Sequence, residues 1–408
     1  MDEVRAIPLR RGRLLLVAAL SLAFLALLIP GLREHLLTRA PLGFPPSASD
    51  SNPLLPLSPS EQARRAAIAA LGPIKKRPGV NAADDYKKAL GLYNQLSRDE
   101  KSRLKDWRAL GNPKSAAALY AKIQPIMDLL RRARKADYAD WGLGPVELRK
   151  AMPELQAIQV LSQTALWESN YRFQTDSDGA VSDLSAMEAM SSSVVEDLIG
   201  FLVETGAHAA GIQVLAQNAG SITPGAFTDL AYIMNPAAVQ ESFQIGMNSE
   251  ASLQQRDLST YSDPATRNAS ELQMLVNSGI APDQVKSEVN WMIQTEQALG
   301  STLQEPGAQF QQWWAQVQAQ SASMSALVVN PLSTLVSIRA KAQQSLAQAS
   351  LLSAGLGMLH TDWPQAPSVT GLPKPDNMAI TQGETQFKLV SSVGGKSISL
   401  TFPNPVAK

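Results

Sequence analysis

Residues 306–329 read PGAQFQQWWAQVQAQSASMSALVV and indicate the architecture of the chain. Apolar and small residues recur there at intervals of four and three, as in a helix that packs along one seam: Phe310, Trp314, Val317, Ser321, Met324 and Val328. Glutamines fill the other faces, and no charged residue occurs from Pro306 to Ile338. We predict a core helix of a bundle. Contact with a partner or a membrane surface through Trp313 and Trp314 is the alternative.

The rest of the body has the same helical character, with caps and prolines marking where helices begin. Ser97-Arg98-Asp99-Glu100 is a capping box, and Pro113 opens a helix that reaches about Tyr138. Further helices are predicted at 154–175, 180–192, 194–218, 224–233, 236–260, 264–278, 282–300, 306–329 and 331–358. Six prolines stand where a helix would begin: Pro224, Pro236, Pro264, Pro282, Pro306 and Pro331. The predicted fold class is therefore all-α, a helical bundle or irregular array of helix pairs.

The N-terminal segment predicts a membrane anchor. Residues 14–32 are almost wholly apolar, and nineteen residues at 1.5 Å each span about 28 Å, near the thickness of a hydrocarbon core. Arginines within residues 1–13 place that end in the cytoplasm, so the body would be periplasmic. A cleaved signal peptide is the alternative. The proline- and serine-rich residues 33–60 predict a semi-rigid tether between the anchor and the body.

The C-terminal tail differs from the helical body, which we assign to residues 61–362. Residues 363–383 are a proline-rich linker without periodicity. Within 384–408, apolar and polar residues alternate on both sides of Gly394-Gly395, which predicts a small β-hairpin. Because a lone hairpin is marginally stable in water, we expect it to dock on the body.

The charge of the chain is zero in total but uneven along its length. Residues 61–150 contain 20 basic and 10 acidic residues, whereas residues 151–370 contain 6 basic and 20 acidic residues. We predict that the two regions attract each other or orient the body against the membrane. The predicted topology argues against a nucleic-acid partner. The absence of cysteine excludes disulfides, thiolate metal sites and a cysteine nucleophile.

Glu168 is the one catalytic candidate. Glu168-Ser169 resembles the start of the catalytic motif of soluble lytic transglycosylases, in which a glutamic acid protonates a glycosidic oxygen. Asp176-Ser177-Asp178-Gly179 resembles part of a calcium loop, but Gln174 and Ser185 stand where carboxylates are needed. The three histidines lack the spacing of metal ligands. We therefore predict no metal and no cofactor, and favour a non-enzymatic protein.

Residues 140–220 are similar to a functionally uncharacterised family of membrane-anchored, mostly helical bacterial proteins. The resemblance rests on short motifs in order: Asp140-Trp141-Gly142, Met152-Pro153-Glu154-Leu155, Ala165-Leu166-Trp167 and Asp197 to Val203. The unit from Ala165 to Leu184 resembles one tetratricopeptide-type helix pair. The tail resembles the end of type II pseudopilins through residues 359–364 and 387–394. The resemblance carries no known activity or site residues. The anchor, the tether, the helix pairs and the lack of a complete catalytic set predict a non-enzymatic envelope scaffold or binding protein, with an envelope protein partner or self-association. The alternatives are a wall-glycan-cleaving enzyme that uses Glu168, and a secretion-machinery accessory if the tail packs like a pseudopilin end.

Overall fold

The computed structural model describes residues 79–141, 152–194, 198–267, 270–277, 279–304, 307–360, 378–393 and 396–404. The predicted anchor at 14–32, the tether at 33–60 and most of the predicted linker lie outside the described residues.

The described chain is mostly helical, as predicted, and ends in a small antiparallel sheet. The helices are α1 (Ala82–Asn94), α2 (Arg98–Lys105), α3 (Pro113–Ala133), α4 (Met152–Arg172), α5 (Ser177–Ser192), α6 (Leu198–Gln217), α7 (Phe227–Ile233), α8 (Pro236–Ser262), α9 (Glu271–Asn277), α10 (Pro282–Ser301), α11 (Gly307–Ser321) and α12 (Ala326–Leu359). The strands are β1 (Ala379–Gln382), β2 (Gln386–Val393) and β3 (Lys396–Pro403).

Local sequence explains several of the helix starts. The capping box at Ser97 is present, because its side chain accepts from the Glu100 N–H while the Glu100 carboxylate accepts from the Ser97 N–H. Asn112 and Asn235 each cap a helix whose first residue is a proline. Proline suits that position because its missing N–H would have no intrahelical partner there.

α5 and α6 form the centre of the body. Twelve of the 16 residues of α5 and 16 of the 20 residues of α6 are buried, and many of these are alanine, serine or glycine. Small side chains let neighbouring helices approach from all sides, so these two helices are surrounded by α3, α4, α7, α8 and α12. α6 is also long and apolar enough to cross a membrane by length and composition, but 83% of its most apolar window is buried inside the fold.

Three apolar clusters hold the described elements together. The largest joins α1 to α7 with the end of α12 and the sheet, the second joins the start of α6 with α8, α10, α11 and α12, and the third joins α8, α9 and α10. α12 takes part in two of the clusters, and it therefore links the two ends of the body.

The sheet has the order β1-β2-β3, with both neighbouring pairs antiparallel. Phe387, Leu389, Leu400 and Phe402 are buried on one face, against α12 and α6. Gly355 of α12 lies against the Phe402 ring, where a side chain would collide. The hairpin of β2 and β3 agrees with the predicted tail. β1 is an added strand within the residues predicted as linker, and its four exposed residues carry no alternating signal.

Two helix starts predicted from proline are wrong. The helix predicted at 306–329 ends at Ser321, and the next begins at Ala326, so Pro331 lies inside α12 rather than at its first position. The Glu288 carboxylate on α10 accepts from the N–H and Oγ of Ser325, which fixes the break. Pro264 belongs to a turn after α8, and the following helix begins only at Glu271.

Candidate functional site

Glu168 lies in a cluster of charged side chains contributed by α3, α4 and α5. Its Oε1 accepts from Gln124 Nε2 at 2.9 Å and from Arg131 Nη2 at 2.7 Å. Arg131 Nε also donates to Asp183 Oδ1 at 2.6 Å, and Arg172 Nη1 donates to Asp183 Oδ2 at 2.8 Å. Glu168 and Asp183 are both 0% exposed. The cluster thus buries two carboxyl groups that share the Arg131 guanidinium.

Burial determines the protonation of this pair. Burial, with the charge of Asp183 adding to it, raises the pKa of Glu168 to about 8 against the opposing charge of Arg131. Burial also raises the pKa of Asp183, although both arginines counteract it. Asp183 accepts from two guanidinium groups and Glu168 from only one. The proton held by the pair at neutral pH therefore resides on Glu168.

Glu168 lines a helix–helix seam rather than a cleft. Its side chain is wholly enclosed, and Trp167 beside it is also 0% exposed. A general acid must come within hydrogen-bond reach of the substrate oxygen, directly or through one water molecule. In this arrangement the Glu168 carboxyl contacts Gln124 and Arg131 instead. The geometry is that of a buried ion cluster that joins three helices.

Sequence reasoning missed Arg131, Arg172 and Asp183, the other members of the cluster. One local signal was present, because Glu168 and Arg172 are four residues apart and therefore share a face of α4. A charged pair of this kind among apolar residues suggests that its side chains have buried partners of opposite charge. The contribution of Arg131, 37 residues before Glu168 in the chain, has no local sequence signal.

A groove of about 490 Å³ opens beside the cluster. It is lined by Arg131, Arg134, Lys135, Ser182 and Ala186. Arg131 is already paired as described above, and Arg134 Nη2 lies 2.7 Å from Asp229 Oδ1. Both arginines of the lining are thus paired with carboxylates of the protein.

A second buried pair joins α5 to α6. His208 Nδ1 lies 2.8 Å from Glu188 Oε1, with both groups inside the fold. Burial lowers the pKa of His208, but the charges of Glu188 and Glu204 outweigh it, so the pKa is raised overall. His208 Nε2 has no hydrogen-bond partner in the described chain, so no described serine completes a triad with it.

The other residues singled out from the sequence have structural positions. Asp176 caps α5 by accepting from the Gly179 N–H, and Asp178 accepts from Thr223. Both carboxylates of the calcium-like stretch are thus engaged within the protein. Within the described residues, no group of three or more suitable side chains could hold a metal ion. Trp313 and Trp314 are half-buried and pack with Phe310 against the second apolar cluster.

Two arginines of the basic region (residues 61–150) pair with carboxylates of the acidic region (residues 151–370). Arg131 contacts Glu168 and Asp183, and Arg134 contacts Asp229. This agrees with the predicted attraction between the two regions. Other basic residues pair within their own region, as Arg132 does with Asp85 and Lys122 with Glu100. The attraction is therefore concentrated where α3 meets α4, α5 and α7.

The chain matches no family model, no curated protein and no solved structure. The resemblance to the uncharacterised membrane-anchored family, and that of the tail to pseudopilins, therefore stay predictions. Function has to be argued from the fold and from the buried cluster.

Proposed function

We propose that this chain is a membrane-anchored, non-enzymatic scaffold or binding protein of the bacterial cell envelope, with its body outside the cytoplasm. One observation carries the proposal. The only catalytic candidate of the sequence, Glu168, is enclosed between helices and hydrogen-bonded to Gln124 and Arg131. A group in this position stabilises the packing of α3 on α4. The apolar segment at residues 14–32 supports the anchored location.

The scaffold role predicts a stable complex. We expect the full chain, solubilised from membranes with a mild detergent, to co-purify with a reproducible envelope protein or with a second copy of itself. The anchor and tether alone, residues 1–60, serve as the matched control and should retain neither. Recovery of the full chain as a lone monomer would contradict the proposal.

The enzymatic alternative is a hydrolase of cell-wall glycan that uses Glu168. We expect the purified full chain and Glu168→Gln to release equally little soluble material from isolated wall. Release by the wild-type chain that is lost in Glu168→Gln would instead establish the enzyme and refute the scaffold proposal.

A secretion-machinery accessory is the second candidate, and the packing of the tail favours it. The three-stranded sheet is docked on the long helix α12 through Phe402 and Gly355 rather than standing apart. This role predicts that removing residues 378–404 impairs export of a secreted protein while leaving the chain in the membrane. Normal export would contradict it.

A further inference from the structure

Within the described residues, β1 is one of the two edge strands of the sheet. Asn404 N–H donates to Thr385 O, so the odd-numbered residues of β2 bond to β3 and its even-numbered residues bond to β1. The bond from Gly383 N–H to Gln386 O gives the same alternation at the turn. The backbone N–H and C=O groups of Ala379 and Thr381 therefore point toward β2. The backbone N–H and C=O groups of Ile380 and Gln382 point away from the sheet.

β1 extends beyond the helices that cover its neighbours. Ile380 is opposite Leu389, and both lie on the face that packs against the body. Leu389 is 0% exposed, yet Ile380 is 52% exposed. Met378, two residues earlier on the same face, is 39% exposed. Within the residues that the structure describes, the edge thus combines outward-pointing backbone groups with exposed apolar side chains.

The edge also lacks the features that usually prevent strands from pairing between molecules. Natural edge strands carry lysine, proline or a bulge for that purpose. Residues 378–383 read MAITQG and contain no charge and no proline. The β1–β2 pairing runs without interruption from Ala379 to Gln382, so no bulge twists the edge away.

We propose that β1 is a homotypic interface, at which β1 of a second copy of this chain pairs antiparallel about a twofold axis through Thr381. In this register each Ile380 lies opposite Gln382 of the second copy. The outward backbone N–H groups of each strand then meet the outward C=O groups of the other. The two Thr381 residues face each other on the solvent side, because Thr381 is opposite the exposed Lys388. The result is one continuous sheet across the two molecules.

A second copy fits this edge better than an unrelated strand for two reasons. The edge is self-complementary in its hydrogen-bonding groups, which a twofold interface requires. Its lack of charge avoids the repulsion between like charges that such symmetry would bring face to face, and Glu384 would lie opposite Met378 rather than Glu384. The contact is small, so it gains from the high local concentration that a shared membrane provides. The inference rests on the proposed scaffold role and names its partner.

The absence of cysteine makes a disulfide test specific. We expect the full chain with Thr381→Cys, in membranes, to form a crosslinked dimer under mild oxidation, because facing residues of a non-hydrogen-bonded pair have Cβ atoms about 5 Å apart. The matched control is Thr385→Cys in the exposed turn. In the proposed register the two Thr385 positions are about 27 Å apart and should not crosslink.

A charge on the edge provides the second measurement. Ile380→Lys added to Thr381→Cys should reduce the crosslinked fraction several-fold, whereas Met358→Lys, at another exposed apolar residue, should not. Equal crosslinking at positions 381 and 385, or none at 381, would overturn the inference. If the inference fails in this way but the chain co-purifies with a different envelope protein, the scaffold role is still supported. Glu168-dependent wall cleavage would contradict the scaffold role but would not change the crosslinking result.

Discussion

The buried Glu168 carboxyl makes part of the stability of this protein depend on pH, and Glu168→Gln should remove that part. Glutamine has the shape of the protonated acid and can accept from Gln124 and Arg131 through its Oε1, as Glu168 does. The substitution therefore mimics the neutral form that burial favours. It separates the effect of the proton from the effect of packing.

The sign follows from where the proton is bound. The pKa of Glu168 is raised from 4.5 to about 8 by burial and the charge of Asp183. Below pH 4.5 both the folded and unfolded states hold the proton. Between these values only the folded state holds it, so the free energy of unfolding falls as pH rises through this window. Because half of the folded molecules have lost the proton at pH 8, the wild-type chain should lose roughly 3–4 kcal/mol relative to Glu168→Gln from pH 5 to pH 8.

The assay is urea denaturation at several pH values from 5 to 9, followed by circular dichroism. Glu100→Gln is the matched control. The hydrogen bond from Lys122 lowers the pKa of Glu100, so its contribution is lost only below pH 4.5 and its difference from wild type should stay constant from pH 5 to 8. A Glu168→Gln difference that is equally constant would show that Glu168 is ionised in the folded protein and refute the reasoning.

Three further predictions concern packing and buried charge. Burial and Glu250 raise the pKa of Glu296 to about 9, so Glu296→Gln should match wild type in urea unfolding at pH 5 and gain stability relative to it as pH rises to 9. Gly355→Ala should lower the Tm and speed hydrogen exchange in β3, because the added Cβ meets the Phe402 ring. The matched control Gly91→Ala, whose added Cβ meets open space, should instead raise the free energy of unfolding by about 1 kcal/mol. Arg131→Ala should cost about 3–5 kcal/mol in urea unfolding, since it leaves buried carboxyls without their shared partner; a loss below 1 kcal/mol would contradict that role.

Much of the fold was accessible from the sequence because its signals are local. The capping box at Ser97, the proline starts at Pro113, Pro236 and Pro282, and the alternation around Phe387 each depend on residues a few positions apart. Such patterns predict element type well. The break between α11 and α12 was missed because the group that fixes it, Glu288, is 37 residues away in the chain.

The candidate site was less accessible for the same reason. The sequence identified Glu168 as a candidate residue but did not predict its role. That role depends on Arg131 from α3 and Asp183 from α5. Whether a carboxyl lies in a cleft or in a helix–helix seam depends on the packing of whole helices. A dipeptide motif contains no information about that packing.

By itself, the sequence determined the helical class, most helix boundaries, the terminal hairpin and the separation of basic from acidic residues. Only the tertiary structure decided which of those charges meet, that Glu168 is enclosed, and that β1 joins the sheet with an uncovered edge. The physical reason is distance along the chain. Caps and periodicity act within a few residues, whereas burial, the pKa of a carboxyl and the exposure of a strand depend on groups that only folding brings together.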